Sequence, residues 1–133
     1  MKNNILVIDT MPNSRFAAAV ALQKAGYKIS EAEDEAAALS TILDAQEKGE
    51  PFDLLLIDVK MPGIHGVELI YKLERQCLSI PILVTTNHVD RILITELVRN
   101  CCFDLLVKPF DSQELVKRVG DILCRHEKGF PSS

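Results

Sequence analysis

Carboxylates, hydroxyls and an amine stand where apolar runs of this chain stop. Asp9-Thr10 follows Ile5-Leu6-Val7-Ile8, and Asp58 follows Leu54-Leu55-Leu56-Ile57. Thr85-Thr86 closes the run from Ile80 to Val84, and Lys108-Pro109 closes the run from Phe103 to Val107. If these runs are neighbouring strands, the polar groups share one edge. Two carboxylates in one cleft repel each other and invite a hard divalent cation with oxygen ligands, Mg²⁺ above all. An ammonium at the same edge supplies positive charge to a phosphoryl or carboxylate oxygen, and a threonine hydroxyl donates a hydrogen bond to it. An aspartate can also be the nucleophile and become an aspartyl phosphate. Cation, amine and hydroxyl would then offset charge on the transferring group. The plain alternative is that strand ends are polar because they meet water. That accounts for one or two such residues, and less well for an acid, an acid, a hydroxyl and a base on successive strand ends.

The elements that must position these groups are legible as an alternation. The four runs above, with Tyr27-Lys28-Ile29, read as five strands. Four of them are nearly unbroken in hydrophobicity, as strands covered on both faces must be. Helical spacing fills the gaps. Pro12-Asn13-Ser14 offers a start signal, and Phe16, Ala19, Val20 and Gln23 follow it. Asp34 precedes a stripe of Ala36, Leu39, Ile42 and Leu43; Val67, Ile70 and Leu73 form the next; Asp90 precedes Leu93, Leu97 and Val98. Asp111-Ser112-Gln113-Glu114 reads as a capping box before Leu115, Val119, Ile122 and Leu123. Five alternations predict an α/β doubly wound parallel sheet, with its ligand crevice at the carboxyl ends of the strands.

Composition limits the function classes. The chain has 133 residues, 47% hydrophobic and 26% charged, which suits a single domain with a real core. The core is expected over about residues 4–124, with a polar tail over 125–133. A formal charge of -4 argues against a nonspecific nucleic-acid or anionic-membrane binder. No apolar run approaches the ~20 residues that span a bilayer, and the apolar stretch after Met1 is too short for a signal peptide, so a cytoplasmic location is expected. Cys77, Cys101, Cys102 and Cys124 lack metal-ligand spacing and read as reduced thiols. Asp9-Thr10-Met11-Pro12 carries neither G-x-G-x-x-G nor the Walker glycines and lysine, which counts against a nucleotide binder on the same topology.

Two motifs carry a resemblance. Asp58-Val59-Lys60-Met61-Pro62-Gly63 is similar to the D-x-x-M-P-G of response regulator receiver domains, and Lys108-Pro109-Phe110 is similar to their K-P-F. Between them, Pro81 to Thr86 resembles the family's fourth strand. The likeness runs from Asn4 to Cys124. It implies a flavodoxin-like fold with five helices and strand order 2-1-3-4-5. It implies Asp58 as phosphoacceptor, taking its phosphoryl group from a histidine of a sensor kinase or a histidine phosphotransfer protein. It further implies Mg²⁺ held by Asp9, Asp58 and the backbone carbonyl of Lys60. Thr86 would hydrogen-bond the phosphoryl group, Lys108 would pair with it, and a cis bond before Pro109 would turn the lysine inward. The side chains of Lys60 and His88 occupy places that tune phosphoryl lifetime in the family.

Departures bear on function. Thr10 stands where the family has a second acid, which predicts weakened metal binding. Leu105 replaces the switch aromatic, which puts the usual coupling from phosphate to partner surface in doubt. The expected function is therefore a binding switch rather than a turnover enzyme, acting on a downstream protein or output domain outside this chain. Arg91, Glu96 and Arg99 with Lys117 and Arg118 are its candidate partner surface. The alternatives are a pseudo-receiver interaction module that is poorly phosphorylated and, more distantly, an unrelated flavodoxin-like enzyme or cofactor binder.

Overall fold

The computed structural model describes residues 3–58, 69, 71–73, 75–76, 80–86 and 104–127. Its strands are β1 (Asn4–Ile8), β2 (Lys28–Ala32), β3 (Leu54–Asp58), β4 (Ile82–Thr86) and β5 (Asp104–Val107). All pairings are parallel, in the order β2-β1-β3-β4-β5. The helices with described ends are α1 (Pro12–Lys24), α2 (Glu35–Glu47) and α3 (Ser112–Glu127). Residues 69, 71–73 and 75 are helical as well. The expected helix after Asp90 lies outside the described residues, as do Lys60, His88, Arg91, Glu96, Arg99 and three of the four cysteines.

Strand alternation divides the core in two. Leu6, Ile8, Leu55, Ile57, Ile82 and Val84 point to one side, where Ala38, Ile42, Leu69 and Leu73 cover them. Ile5, Val7, Leu54, Leu56, Leu83 and Leu106 point to the other, under Leu22 of α1 and Leu115, Val119 and Ile122 of α3. Burial on both faces is the reason these strands read as unbroken apolar runs.

The helix ends follow their capping chemistry. Asp34 accepts from the Ala37 N–H at 2.8 Å, and Asp111 accepts from the Glu114 N–H at 2.8 Å. Pro12 opens α1 without a side-chain cap. Gly26, at φ 101°, takes the left-handed turn that sends the chain from α1 into β2.

Two stripes sit differently from their expected positions. In α1 the buried residues are Ala19 and Leu22, while Phe16 is 65% exposed. In α2 they are Ala38 and Ile42, with Ala36 exposed and Leu43 38% exposed. Both helices are rich in alanine, whose small side chain marks a face weakly, so the burial stripe falls beside the one that spacing alone selects. The β2 strand likewise begins at Lys28 and runs to Ala32, past the Tyr27-Lys28-Ile29 segment that announced it.

Burial sets the expected cost of truncation. Leu83→Ala should lose about 2–5 kcal/mol of stability in urea unfolding, and Leu43→Ala less than about 1 kcal/mol. Equal losses at the two sites would contradict this assignment of the core.

Candidate functional site at the carboxyl edge of the sheet

Parallel pairing brings every strand's carboxyl end to one rim. Asp9 follows β1 and is buried. Its N–H donates to the Ala32 carbonyl at 3.1 Å, extending the β1–β2 ladder by one residue. Its Oδ1 accepts from the Met11 N–H at 2.9 Å, which fixes the carboxylate over the turn into α1. Thr10, next in the chain, is exposed.

Asp58 ends β3, and its side chain is 5% exposed. Lys108 follows β5, two strands away. Its N–H donates to the Thr86 carbonyl at 2.7 Å, so the β4–β5 ladder carries the lysine to the rim. Its Nζ then reaches Asp58 Oδ1 at 2.8 Å and lies 3.4 Å from the Ser14 hydroxyl. The Lys108–Pro109 peptide bond is cis. Asp9, Ser14, Asp58, Thr85, Lys108 and Pro109 line a cavity of about 330 Å³.

The hydroxyl against Asp58 belongs to Thr85, whose Oγ1 donates to Oδ1 at 3.1 Å. The resemblance singles out Thr86 instead. Asp58 and Thr85 are paired in register, and Thr85 shares strand parity with Leu83 on the α1–α3 side. Thr86 is fully buried and shares parity with Val84 on the opposite side. Leu105 packs against that same opposite layer, beside Val84 in the ladder. The two threonines end β4 at the same rim with side chains of opposite parity, and Thr85 is the one that donates to Asp58.

Two further residues were missed by sequence reasoning. Arg15 donates from Nη1 to the Asp9 carbonyl at 2.9 Å, and its Nε pairs with Glu31 at 3.1 Å. Ser14 touches the lysine ammonium. Both lie in the first turn of α1, and the first turn of a helix that follows a strand always faces the carboxyl edge. That placement was the available signal. Of the proposed partner surface, Lys117 pairs with Asp121 at 3.1 Å, and Arg118 pairs with Asp104 at 3.0 Å while also donating to the Leu105 carbonyl.

Comparison with known proteins covers most of the chain. The family model for the response regulator receiver domain matches residues 5–120. The C4-dicarboxylate transport transcriptional regulatory protein DctD of Pseudomonas aeruginosa is 36% identical over 118 residues, which cover 89% of this chain and 24% of that protein. The phosphate regulon transcriptional regulatory protein PhoB of the same organism is 35% identical over 127 residues, covering 94% of this chain and 53% of its own length. The chain thus spans about a quarter of one relative and about half of the other. Among solved structures, the chemotaxis protein CheY4 of Vibrio cholerae superposes with a TM-score of 0.81 at 27% identity, covering 92% of this chain and 99% of that one.

A charge pair at 2.8 Å with one partner almost wholly buried should show measurable coupling. In a double-mutant cycle, Lys108→Met with Asp58→Asn should give at least about 1 kcal/mol. The exposed Lys117–Asp121 pair should give about 0.5 kcal/mol or less. Equal coupling for the two pairs would contradict the geometry.

Proposed function

This chain belongs to the response regulator receiver domain family, and on that premise we propose that Asp58 accepts a phosphoryl group from a histidine of a sensor kinase or histidine phosphotransfer protein. The observation that carries this reading is the Lys108 amine held 2.8 Å from the Asp58 carboxylate at the sheet rim. In the transfer, a carboxylate oxygen bonds to phosphorus as the phosphorus–nitrogen bond to the donor imidazole breaks. The bonding pair leaves with the imidazole, and Asp58 becomes a mixed anhydride. Lys108 meets the incoming negative oxygens without having to be recruited.

The donor set fits a hydrated Mg²⁺. Asp9 follows β1 and Asp58 ends the neighbouring β3, and Mg²⁺ is commonly held by one or two carboxylates with several waters retained. When bound, the ion would neutralise charge on phosphoryl oxygens. Asp9 and Asp58 would hold it, with the Lys60 carbonyl as the family's further ligand. Among the described residues no group of three or more His, Cys, Asp or Glu side chains could hold a metal. Thr10, exposed beside Asp9, would contribute a neutral oxygen at best.

Phosphorylation would bias a two-state equilibrium and alter a partner face, with the output lying in a downstream protein or domain. The chain acts in this reading as a switch and not as an enzyme, in the cytoplasm, without direct contact to nucleic acid or membrane. No described helix is long and apolar enough to cross a membrane. A second reading, a pseudo-receiver that binds partners without phosphotransfer, is favoured by exposed Thr10 and by aliphatic Leu105.

Two measurements separate these readings. With a small acyl phosphate and Mg²⁺, intact mass should rise by about 80 Da, the mass of one phosphoryl group, and Asp58→Asn should abolish the gain. No gain at high Mg²⁺ would favour the pseudo-receiver. Thr10→Asp should tighten Mg²⁺ binding by roughly tenfold, read by calorimetric titration, because it adds a charged oxygen ligand. An unchanged affinity would remove Thr10 from the metal site.

A further inference from the structure

Asp58 is held asymmetrically. The Thr85 hydroxyl donates to Oδ1 at 3.1 Å, and the Lys108 amine meets the same oxygen at 2.8 Å. Among the described residues no donor falls on Oδ2. Thr85 is 4% exposed and lies in the β4 ladder opposite Asp58, so its hydroxyl has little freedom to leave. We infer that Thr85 is a positioning residue for Asp58, which keeps Oδ1 as the bound oxygen, leaves Oδ2 as the attacking oxygen, and shortens the lifetime of the aspartyl phosphate.

The last effect follows from where charge returns. This step rests on Asp58 being the phosphoacceptor. Once Oδ2 carries the phosphoryl group, Oδ1 is a neutral acyl carbonyl oxygen. In hydrolysis a water oxygen bonds to phosphorus and the Oδ2–phosphorus bond breaks. The bonding pair returns to Asp58, and both water protons end on inorganic phosphate or in solvent. The leaving group is again a carboxylate, whose charge is shared by Oδ1. A hydrogen bond to an ionised oxygen is about twice as strong as one to a neutral oxygen. The Thr85 hydroxyl therefore stabilises the transition state, with its developing carboxylate charge, more than the anhydride.

The test compares two variants that separate hydroxyl from volume. Thr85→Val keeps the branched shape and removes the donor; Thr85→Ser keeps the donor and removes a methyl group. Each protein is phosphorylated with a small acyl phosphate and Mg²⁺, freed of donor, and followed by intact mass. Loss of the phosphoryl group should be roughly three- to tenfold slower in Thr85→Val, the scale of one net hydrogen bond. Thr85→Ser should decay within about twofold of the parent, since the donor that sets the rate is kept. An unchanged rate in Thr85→Val, or equal slowing in both variants, would overturn the inference while leaving Asp58 as phosphoacceptor. A parent protein that gains no phosphoryl group would overturn that reading first, and the inference with it.

Discussion

A carboxylate withdrawn from water requires a counter-charge, and at Asp58 that charge is Lys108. An uncompensated ion in such a place costs several kcal/mol, so the sheet must deliver the amine to within contact distance. The two residues sit on strands that do not touch. The β4 strand lies between β3 and β5, and its register with each decides where the lysine arrives. Pairing of Asp58 with Thr85 and of Thr86 with Val107 puts the acid and the base at one height on the rim. A slip of one residue would turn the side chains of a strand to the other face and separate the pair.

The first turn of α1 holds the other half of the rim. Pro12 starts the helix directly after the Asp9 turn. Ser14 then stands beside the ammonium, and Arg15 reaches back to the Asp9 carbonyl while pairing with Glu31 on β2. Leu22, further along the helix, is buried in the layer it shares with α3. The same helix therefore anchors the core and brings Ser14 and Arg15 to the rim. On the other face, Leu105 packs against the layer that contains Val84, Ala38 and Ile42.

The sheet was legible because strands buried on both faces leave unbroken apolar runs, and because polar residues stop those runs at the same end. Asp9, Asp58 and Lys108 could be placed together from that pattern. The part played by Thr85 was harder to read. Thr85 and Thr86 have the same chemistry, and only the β3–β4 register shows that Thr85 lies opposite Asp58. That register depends on pairing between segments far apart in sequence. The helix stripes were displaced for a related reason. Alanines fill much of α1 and α2, so Phe16 and Leu43 looked like core residues although Ala19, Leu22, Ala38 and Ile42 took the buried positions. Ser14 and Arg15 carried no motif of their own and act only through where the strand-to-helix turn puts them.

The central claim is that the side chain beside the Lys108 amine is the one that takes the phosphoryl group. The most direct measurement treats the phosphorylated protein with borohydride, which reduces an acyl phosphate to an alcohol, and then maps the peptides by mass spectrometry. The account predicts homoserine at position 58 and nowhere else. Reduction at Asp9, or at a carboxylate outside the cleft, would contradict it.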